Sequence, residues 1–172
     1  FVRKSLMRGI EDPDLIEKQF HIPVYATIHH SKDQDLLNKE LSKPSKAIKH
    51  ESLAVLSLRN KEDVAVESLR SLRTTIHFSL LEAQNNIIVI TGPSPGVGKS
   101  FVAVNLAVVM ADAGKKILLI DADMRKGAIN KSLGISRENG LSEIILNARS
   151  VQDATREISS ANIDFIPTGT IP

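Results

Sequence analysis

A glycine-rich turn that ends in Gly98-Lys99-Ser100 lies between an apolar run over 87–91 and an apolar segment with helical composition. Backbone N–H groups in such a turn and at a helix N-terminus converge on one point, where an anion binds with help from the helix dipole. In this arrangement Lys99 reaches the β- and γ-phosphates of a nucleotide, and the Ser100 hydroxyl binds Mg²⁺. The residue types and their spacing therefore predict a phosphate-binding loop.

The loop departs from the strict pattern Gly-x4-Gly-Lys-Ser, because Pro93 occupies the position of the first glycine and Gly92 lies one residue earlier. Proline has no N–H to donate, so neither Pro93 nor Pro95 can bind a phosphate in this way. We expect the later residues to supply the donors; these are Gly96, Val97, Gly98, Lys99 and Ser100. Ser94 and Phe101 complete the predicted nucleotide-binding set. The alternative interpretation is a turn that only joins a strand to a helix.

Two carboxylates, Asp121 and Asp123, follow a second apolar run over 117–120. If this run and 87–91 are neighbouring parallel strands, the carboxylates lie at the same sheet edge as the loop. Mg²⁺ prefers hard oxygen ligands, and phosphoryl transfer needs a proton acceptor and positive charge on the transferring oxygens. We therefore predict a metal role for Asp121 and a catalytic base at Asp123, and we expect Arg125 either to stabilise charge or to position a partner. The alternative is that these carboxylates only cap the following helix.

The composition favours one α/β domain. The chain has 172 residues and is 42% apolar but only 3% aromatic, so small aliphatic side chains must fill its core, as in parallel sheets. It has no cysteine, which excludes disulfides and cysteine-based metal sites, and its five histidines show no metal-ligand spacing. The net charge of +2 gives no indication of a nucleic-acid partner. We predict a three-layer P-loop NTPase fold with a mostly parallel sheet, truncated at its C-terminus.

The apolar periodicity places the elements of this fold. We predict strands over 87–91, 117–120 and 163–166, and helices over 99–113, 141–147 and 151–158. Gly114 is expected to stop the first of these helices.

The segment before the loop is more polar. We predict a juxtamembrane and N-terminal segment over 1–29, a linker over 30–60 with room for one weak helix, and the P-loop domain over 61–172. The first segment should contain a helix over 11–20, with Asp12 as its N-cap, and a strand over 22–28. Basic residues in 1–9 read either as an ordinary tail or as the cytoplasmic flank of an upstream membrane helix.

A helix is predicted over 61–84, because Leu69, Leu72, Ile76 and Leu80 recur at spacings of three and four and mark one buried stripe. Glu67, Arg70 and Arg73 lie on a flank beside that stripe. From periodicity alone, these three residues are expected to form solvated i,i+3 charge pairs.

The chain resembles the cytoplasmic domain of bacterial tyrosine autokinases, the kinases joined to polysaccharide co-polymerases of the Wzc/Etk/ExoP type. Residues 90–100 look like the Walker A motif of that family, including the Ser-Pro before the glycines, and 117–125 are similar to its Walker A′ motif, Asp-x-Asp-x-Arg. Glu67-x2-Arg70-x2-Arg73 looks like its oligomerisation motif. Residues 8–13 resemble the segment that follows its second membrane helix.

The resemblance implies ATP-dependent autophosphorylation on tyrosine, with ATP and Mg²⁺ as cofactors, in the control of capsule or exopolysaccharide assembly. Lys99 and Ser100 then carry the nucleotide and Mg²⁺ roles, Asp121 a metal role and Asp123 a catalytic role. The helix over 61–84 would hold a homo-oligomeric ring through Glu67 and the two arginines. The other implied partners are a tyrosine tail of the same or a neighbouring subunit and the export machinery. The implied location is the cytoplasmic face of the inner membrane, with anchoring helices outside the fragment.

Two features of the resembled family have no match in residues 1–172: the Walker B segment and the C-terminal tyrosine cluster. The single tyrosine, Tyr25, is expected to be a buried structural residue of the strand over 22–28. Two other interpretations stay open, which are a MinD/ParA-like positioning ATPase and a non-catalytic scaffold in polysaccharide export. Ser94 counts against the first, because positioning ATPases have a signature lysine there.

Overall fold

The computed structural model describes residues 13–42 and 53–170. Their elements follow one another in the order α1 (Pro13–Phe20), α2 (Lys32–Ser42), α3 (Leu56–Arg59), α4 (Val64–Leu81), α5 (Lys99–Asp112), β1 (Leu118–Ile120), α6 (Ile129–Ser132), α7 (Leu141–Ile145), α8 (Val151–Ala154), β2 (Arg156–Ile158) and β3 (Ile163–Ile166). The α/β class expected from composition is confirmed.

Helix α5 is the central element of the fold. Every residue from Val104 to Ala111 is buried, which fits a helix that is apolar on all sides and is packed from several directions. The helix ends as predicted at Gly114, which has a φ of +79°. Hydrogen bonds from the Gly114 N–H to the Ala111 oxygen (2.8 Å) and from the Lys115 N–H to the Met110 oxygen (3.2 Å) form a Schellman motif.

The sheet of the described residues has the order β1-β3-β2. Strands β1 and β3 are parallel, with Ile120 opposite Ile166, so the expected strands over 117–120 and 163–166 are confirmed. Strands β2 and β3 form an antiparallel hairpin. The helix predicted over 151–158 is wrong in its second half, because the chain is extended at Thr155 and Arg156–Ile158 pair with β3.

Two hydrophobic clusters lie against α5, and residues 53–56, which lead into α3, contribute to both. Leu53 and Val55 belong to the cluster that contains Phe165, whereas Ala54 and Leu56 belong to the cluster that contains Leu69. This alternation is what an extended segment between two packed faces produces. The described part of the stretch predicted as a linker with room for one weak helix thus contains two helices and five buried core residues, which are Leu37, Leu53, Ala54, Val55 and Leu56. The domain boundary at residue 60 stays a prediction.

Helix α4 confirms the predicted amphipathic helix. Its N-cap is Asp63, whose side chain accepts a hydrogen bond from the Ala65 N–H at 2.8 Å. Leu69 is fully buried, and Leu72 and Ile76 pack against the same cluster from half-buried positions. The stripe therefore lies against α5.

Two predicted strands do not form among the described residues. Residues 22–28 and 87–91 pair with no described strand, and Tyr25 is 62% exposed, so the expectation of a buried tyrosine is wrong. Ile88 and Ile90 of the run over 87–91 line an apolar cleft of about 770 Å³, and Leu118 and Leu119 of β1 line the same cleft. An apolar run forms a strand only where a neighbour supplies backbone partners, and here none is within reach.

Among the described residues, no helix combines the length and the apolar character that crossing a membrane requires. The basic segment 1–9 and the expected cap at Asp12 lie outside the described residues.

Candidate functional site

The phosphate loop, residues 92–100, takes its shape from two glycines. Gly96 has a φ of +79° and Gly98 a φ of +99°, both in the left-handed region that residues with a Cβ rarely adopt. No atom lies within 4 Å of a Cβ built on either residue. The requirement for glycine at these two positions therefore comes from the backbone conformation, since there is space for a side chain at both.

The basic and hydroxyl groups of the loop are accessible. Lys99 is the first residue of α5, and its Nζ donates a hydrogen bond to the Ser94 oxygen at 3.0 Å, which holds the ammonium group over the loop. No side chain caps the N-terminus of α5, and Ser100 and Val97 are exposed. Phe101 packs against the hydrophobic cluster around Leu69, so of the predicted nucleotide-binding residues it is the one turned toward the core.

Asp121 is a buried carboxylate at the end of β1, with 4% of its surface exposed. Its N–H donates to the Ile166 oxygen at 3.0 Å and so continues the pairing of β1 with β3. Its Oδ2 accepts from the Ile129 N–H at 3.1 Å and its Oδ1 from the Asp123 N–H at 3.3 Å. Asp121 therefore holds the start of α6, as the capping alternative anticipates, and each oxygen keeps a free lone pair for a further partner.

Asp123 is exposed and structures the turn that follows it. Its Oδ1 accepts hydrogen bonds from the Lys126 N–H at 2.9 Å and the Arg125 N–H at 3.2 Å. The Lys126 N–H lowers the pKa of Asp123 most, and the Arg125 N–H and the charges of Lys99 and Arg125 lower it further, against an opposing effect of burial. The ammonium group of Lys99 thus acts on Asp123, so the loop and the acidic pair share one electrostatic environment.

Two residues that the sequence analysis missed lie beside Asp121. Thr168 follows β3 as Asp121 follows β1; it is 1% exposed, and its Oγ1 is buried without a hydrogen-bond partner among the described residues. A Cβ on Gly127 would overlap with that oxygen and lie 2.9 Å from Asp121 Oδ2. The only signal in the sequence is position, because residues that follow parallel strands meet at one sheet edge. We call residues 121–127 and 167–170 the acidic edge.

This set of donors fits Mg²⁺. A buried carboxylate and an orphaned hydroxyl are hard oxygen donors, and Mg²⁺ is commonly held by one or two carboxylates together with phosphate oxygens and water. No group of three or more histidine, cysteine or acidic side chains could hold a metal ion within the described ranges. A cation at Asp121 would therefore need the phosphates and Ser100 as further ligands.

Glu143, at the start of α7, ties the second half of the acidic edge in place. Its Oε2 accepts from the Gly140 N–H at 2.7 Å and its Oε1 from the Thr170 N–H at 3.0 Å. Hydrogen bonds from Thr170, with a further one from Gly140, lower the pKa of Glu143 to about 2. Because the Ser142 N–H also donates to the Thr168 oxygen at 2.9 Å, residues 167–170 are held on both sides of Thr168.

The three residues predicted on the flank of α4 do not act alike. Arg70 pairs with Glu67 at 2.7 Å, as the i,i+3 spacing predicts. Arg73 turns toward the neighbouring helix, where its Nη1 donates to the Val109 oxygen at 3.3 Å. That carbonyl lies in the last turn of α5, where helices have unpaired acceptors. Arg70 and Glu67 thus pair within α4, and Arg73 joins α4 to α5.

Two adjacent histidines, His29 and His30, lie outside any described strand. Both are exposed, and each has a partner within the chain. His30 Nε2 lies 2.9 Å from Asp35 Oδ2, and His29 Nδ1 lies 3.3 Å from Ser68 Oγ.

Residues 85–171 match the protein family described as AAA domain. The whole chain is 42% identical over 172 residues to "Putative tyrosine-protein kinase EpsB" of Ralstonia solanacearum, and it spans 22% of that protein's length. The solved BceF tyrosine kinase domain is 42% identical, with a TM-score of 0.83, covering 96% of this chain and 64% of that one. For the kinase domain of the Escherichia coli tyrosine kinase ETK, the identity is 37% and the TM-score 0.80, over 95% of this chain and 61% of that one.

These similarities confirm the expected P-loop α/β fold. They also agree with the loop geometry, in which left-handed glycines and an uncapped helix N-terminus lie beside a lysine. A P-loop domain of this kind implies nucleotide binding, and residues 92–100 have the backbone geometry of a phosphate-binding loop.

Proposed function

We propose, from the premise that this chain belongs to the AAA domain family and to the bacterial tyrosine-kinase domains within it, that it is the nucleotide-binding part of an ATP-dependent protein-tyrosine autokinase. One observation carries the proposal: two left-handed glycines lead into the uncapped N-terminus of α5, where Lys99 is the first residue, in a chain whose fold matches solved tyrosine kinase domains. A connection without function would not need this backbone geometry beside a lysine.

In this proposal the phosphate loop binds the triphosphate. The N–H groups of Gly96, Val97 and Gly98 and the first N–H groups of α5 surround the phosphates, and Lys99 leaves Ser94 to contact the β- and γ-phosphate oxygens. Ser100 and Asp121 hold Mg²⁺, which neutralises charge on the phosphates when it is bound.

Asp123 orients the tyrosine hydroxyl and accepts its proton while the bond from phosphorus to the phenolic oxygen forms and the bond to ADP breaks. Its lowered pKa keeps it ionised but makes it a weak base. This is sufficient where the transition state is loose and positioning contributes most of the catalysis. Arg125 is exposed beside Asp123 and places positive charge near the transferring group.

The partners follow from the resemblance. The phosphate acceptor is a tyrosine tail of the same or a neighbouring subunit, and Tyr25 is not assigned that role. Subunits form a ring through α4, where Glu67 is exposed and Arg70 is half-buried. The assembly acts with polysaccharide export machinery at the cytoplasmic face of the inner membrane, anchored by helices outside residues 1–172. The chain spans about a fifth of the length of the curated relatives it matches, so these whole-protein properties are proposals.

The test is phosphotyrosine in the full-length protein, made in a host without other tyrosine kinases and measured by mass spectrometry. Lys99→Met should abolish the phosphotyrosine, because the variant lacks the cation that contacts the transferring phosphate. Lys131→Met, which removes an exposed lysine on α6, is the matched control and should keep it. Undiminished phosphotyrosine in folded Lys99→Met protein would overturn the proposal.

A further inference from the structure

Thr168 is placed where it can act on Asp121. Each residue lies just beyond the end of one of two parallel strands, and the Asp121 N–H bonds to the Ile166 oxygen at 3.0 Å. The backbone of Thr168 is fixed as well, because its oxygen accepts from the Ser142 N–H at 2.9 Å. The position of the hydroxyl is therefore set by the sheet edge and α7.

The hydroxyl of Thr168 is buried without a partner among the described residues. The side chain is 1% exposed, and its Oγ1 has neither a donor nor an acceptor within hydrogen-bond distance. A buried hydroxyl that makes no hydrogen bond reduces stability, so proteins rarely keep one without a use. Valine would fill the same volume without this cost. The unpaired hydroxyl of Thr168 therefore indicates a ligand or a functional neighbour at this position.

Gly127 defines the space that this hydroxyl shares with the carboxylate. A Cβ at position 127 would overlap with Thr168 Oγ1 and lie 2.9 Å from Asp121 Oδ2, so both oxygens adjoin the same point. Gly127 is itself buried, which shields that point from bulk solvent. The Oδ2 atom accepts one hydrogen bond, from Ile129, and a carboxylate oxygen can accept a second.

We propose that Thr168 is a positioning residue of the nucleotide site. Its hydroxyl donates to Asp121 through one bridging water and so orients the carboxylate toward the cation that accompanies the nucleotide. The inference rests on the proposed nucleotide-binding function and adds a residue that the loop and Asp-x-Asp motifs do not contain. Groups that orient a metal ligand from behind commonly change metal affinity by 10- to 100-fold.

The experiment measures binding of a fluorescent ADP analogue to the full-length protein at a series of Mg²⁺ concentrations and in EDTA. Thr168→Val removes the hydroxyl but keeps the shape, and should raise the Mg²⁺ concentration for half-maximal binding about tenfold. Binding in EDTA should not change, because the phosphate loop is intact. Thr168→Ser keeps the hydroxyl and should stay within about twofold of the wild type.

Ser57 supplies the matched control. Its hydroxyl is also buried and unpartnered, but it lies at α3, so Ser57→Ala should leave the Mg²⁺ dependence unchanged. If Thr168→Val does not fold, Thr168→Ala and Thr168→Ser replace it, since these two differ by the hydroxyl alone. Equal Mg²⁺ dependence in the variants with and without the hydroxyl overturns the inference and leaves the proposed function intact. Failure of the wild type to bind the analogue would overturn both.

Discussion

The phosphate loop and the acidic edge are the two halves of the proposed nucleotide site, but the chain holds them in different ways. Around Gly96 and Gly98 there is open space, and the loop has one internal side-chain contact, from Lys99 to Ser94. At the acidic edge, Asp121 and Thr168 are almost fully buried, and Gly127 has no room for a methyl group.

The difference shows which part of the site the protein itself organises. The carboxylate side is fixed by backbone hydrogen bonds from the sheet and from α6 and α7, so its geometry exists before any ligand binds. The loop is held by its backbone conformation and the hydrogen bond from Lys99 to Ser94, and its N–H groups are available to an anion. Substitutions at the acidic edge should therefore affect folding, whereas substitutions in the loop should affect binding.

Paired glycine substitutions test this contrast most strongly. Gly127→Ala should lower the free energy of unfolding by about 3 kcal/mol or more, because the new methyl group meets the Asp123 oxygen at 2.8 Å and Thr168. Gly96→Ala should cost only about 1–2 kcal/mol of backbone strain, and should weaken nucleotide binding by more than its effect on stability accounts for. Urea denaturation and nucleotide titration measure the two effects. Equal losses of stability would show that the regions do not differ.

The pH dependence of Glu143 gives the next largest effect. Its pKa is about 2 in the folded protein, against an ordinary value of 4.5, so its stabilising contribution is complete above about pH 4.5 and is lost as the pH falls toward 2. Glu143→Gln should lower the free energy of unfolding by about 1–2 kcal/mol at neutral pH, and its stability should approach that of the wild type near pH 2.

Denaturant unfolding between pH 2 and 7 measures this effect. Glu138→Gln, an exposed substitution two residues before Gly140, is the control and should follow the wild type throughout. A constant difference between Glu143→Gln and the wild type across that range would mean that the ionised carboxylate does not hold the acidic edge.

The smallest expected effects on stability are those of the two arginines of α4. Arg73 contacts α5, whereas Arg70 pairs with Glu67 of its own helix. Arg73→Ala should cost about 1 kcal/mol, because the Val109 oxygen loses its donor. Arg70→Ala should cost only about 0.2–0.5 kcal/mol, since its pair with Glu67 is weak. Both substitutions together should shift the protein toward monomer in light scattering. An unchanged mass would contradict the proposed ring contact.

The sequence predicted the parts of the fold that local pattern controls. Periodicity located α4 and α5, and Gly114 was identified as the stop of α5 because a Schellman motif needs a left-handed residue. The run over 87–91 has the composition of a strand, but strand formation depends on a partner elsewhere in the chain. The strand predicted over 22–28 likewise has no partner among the described residues, and Tyr25 within it is exposed.

The candidate site was predicted where its residues are close in sequence. Lys99, Ser100 and the Asp-x-Asp pair belong to short motifs, whereas Thr168 and Gly127 approach Asp121 only through the pairing of β1 with β3. Arg73 looked like one of three equivalent charges, because periodicity places a side chain on a flank without saying which neighbouring helix it reaches.

The most direct test asks whether the two regions serve the same Mg²⁺-nucleotide. The experiment is a double-mutant cycle with Ser100→Ala in the loop and Asp121→Asn at the acidic edge. The quantity measured in each folded full-length variant is the factor by which Mg²⁺ strengthens ATP binding. We predict that each substitution alone removes most of this factor and that the double variant loses no more than either. Losses that multiply independently, or a factor unchanged in both single variants, would contradict a shared site.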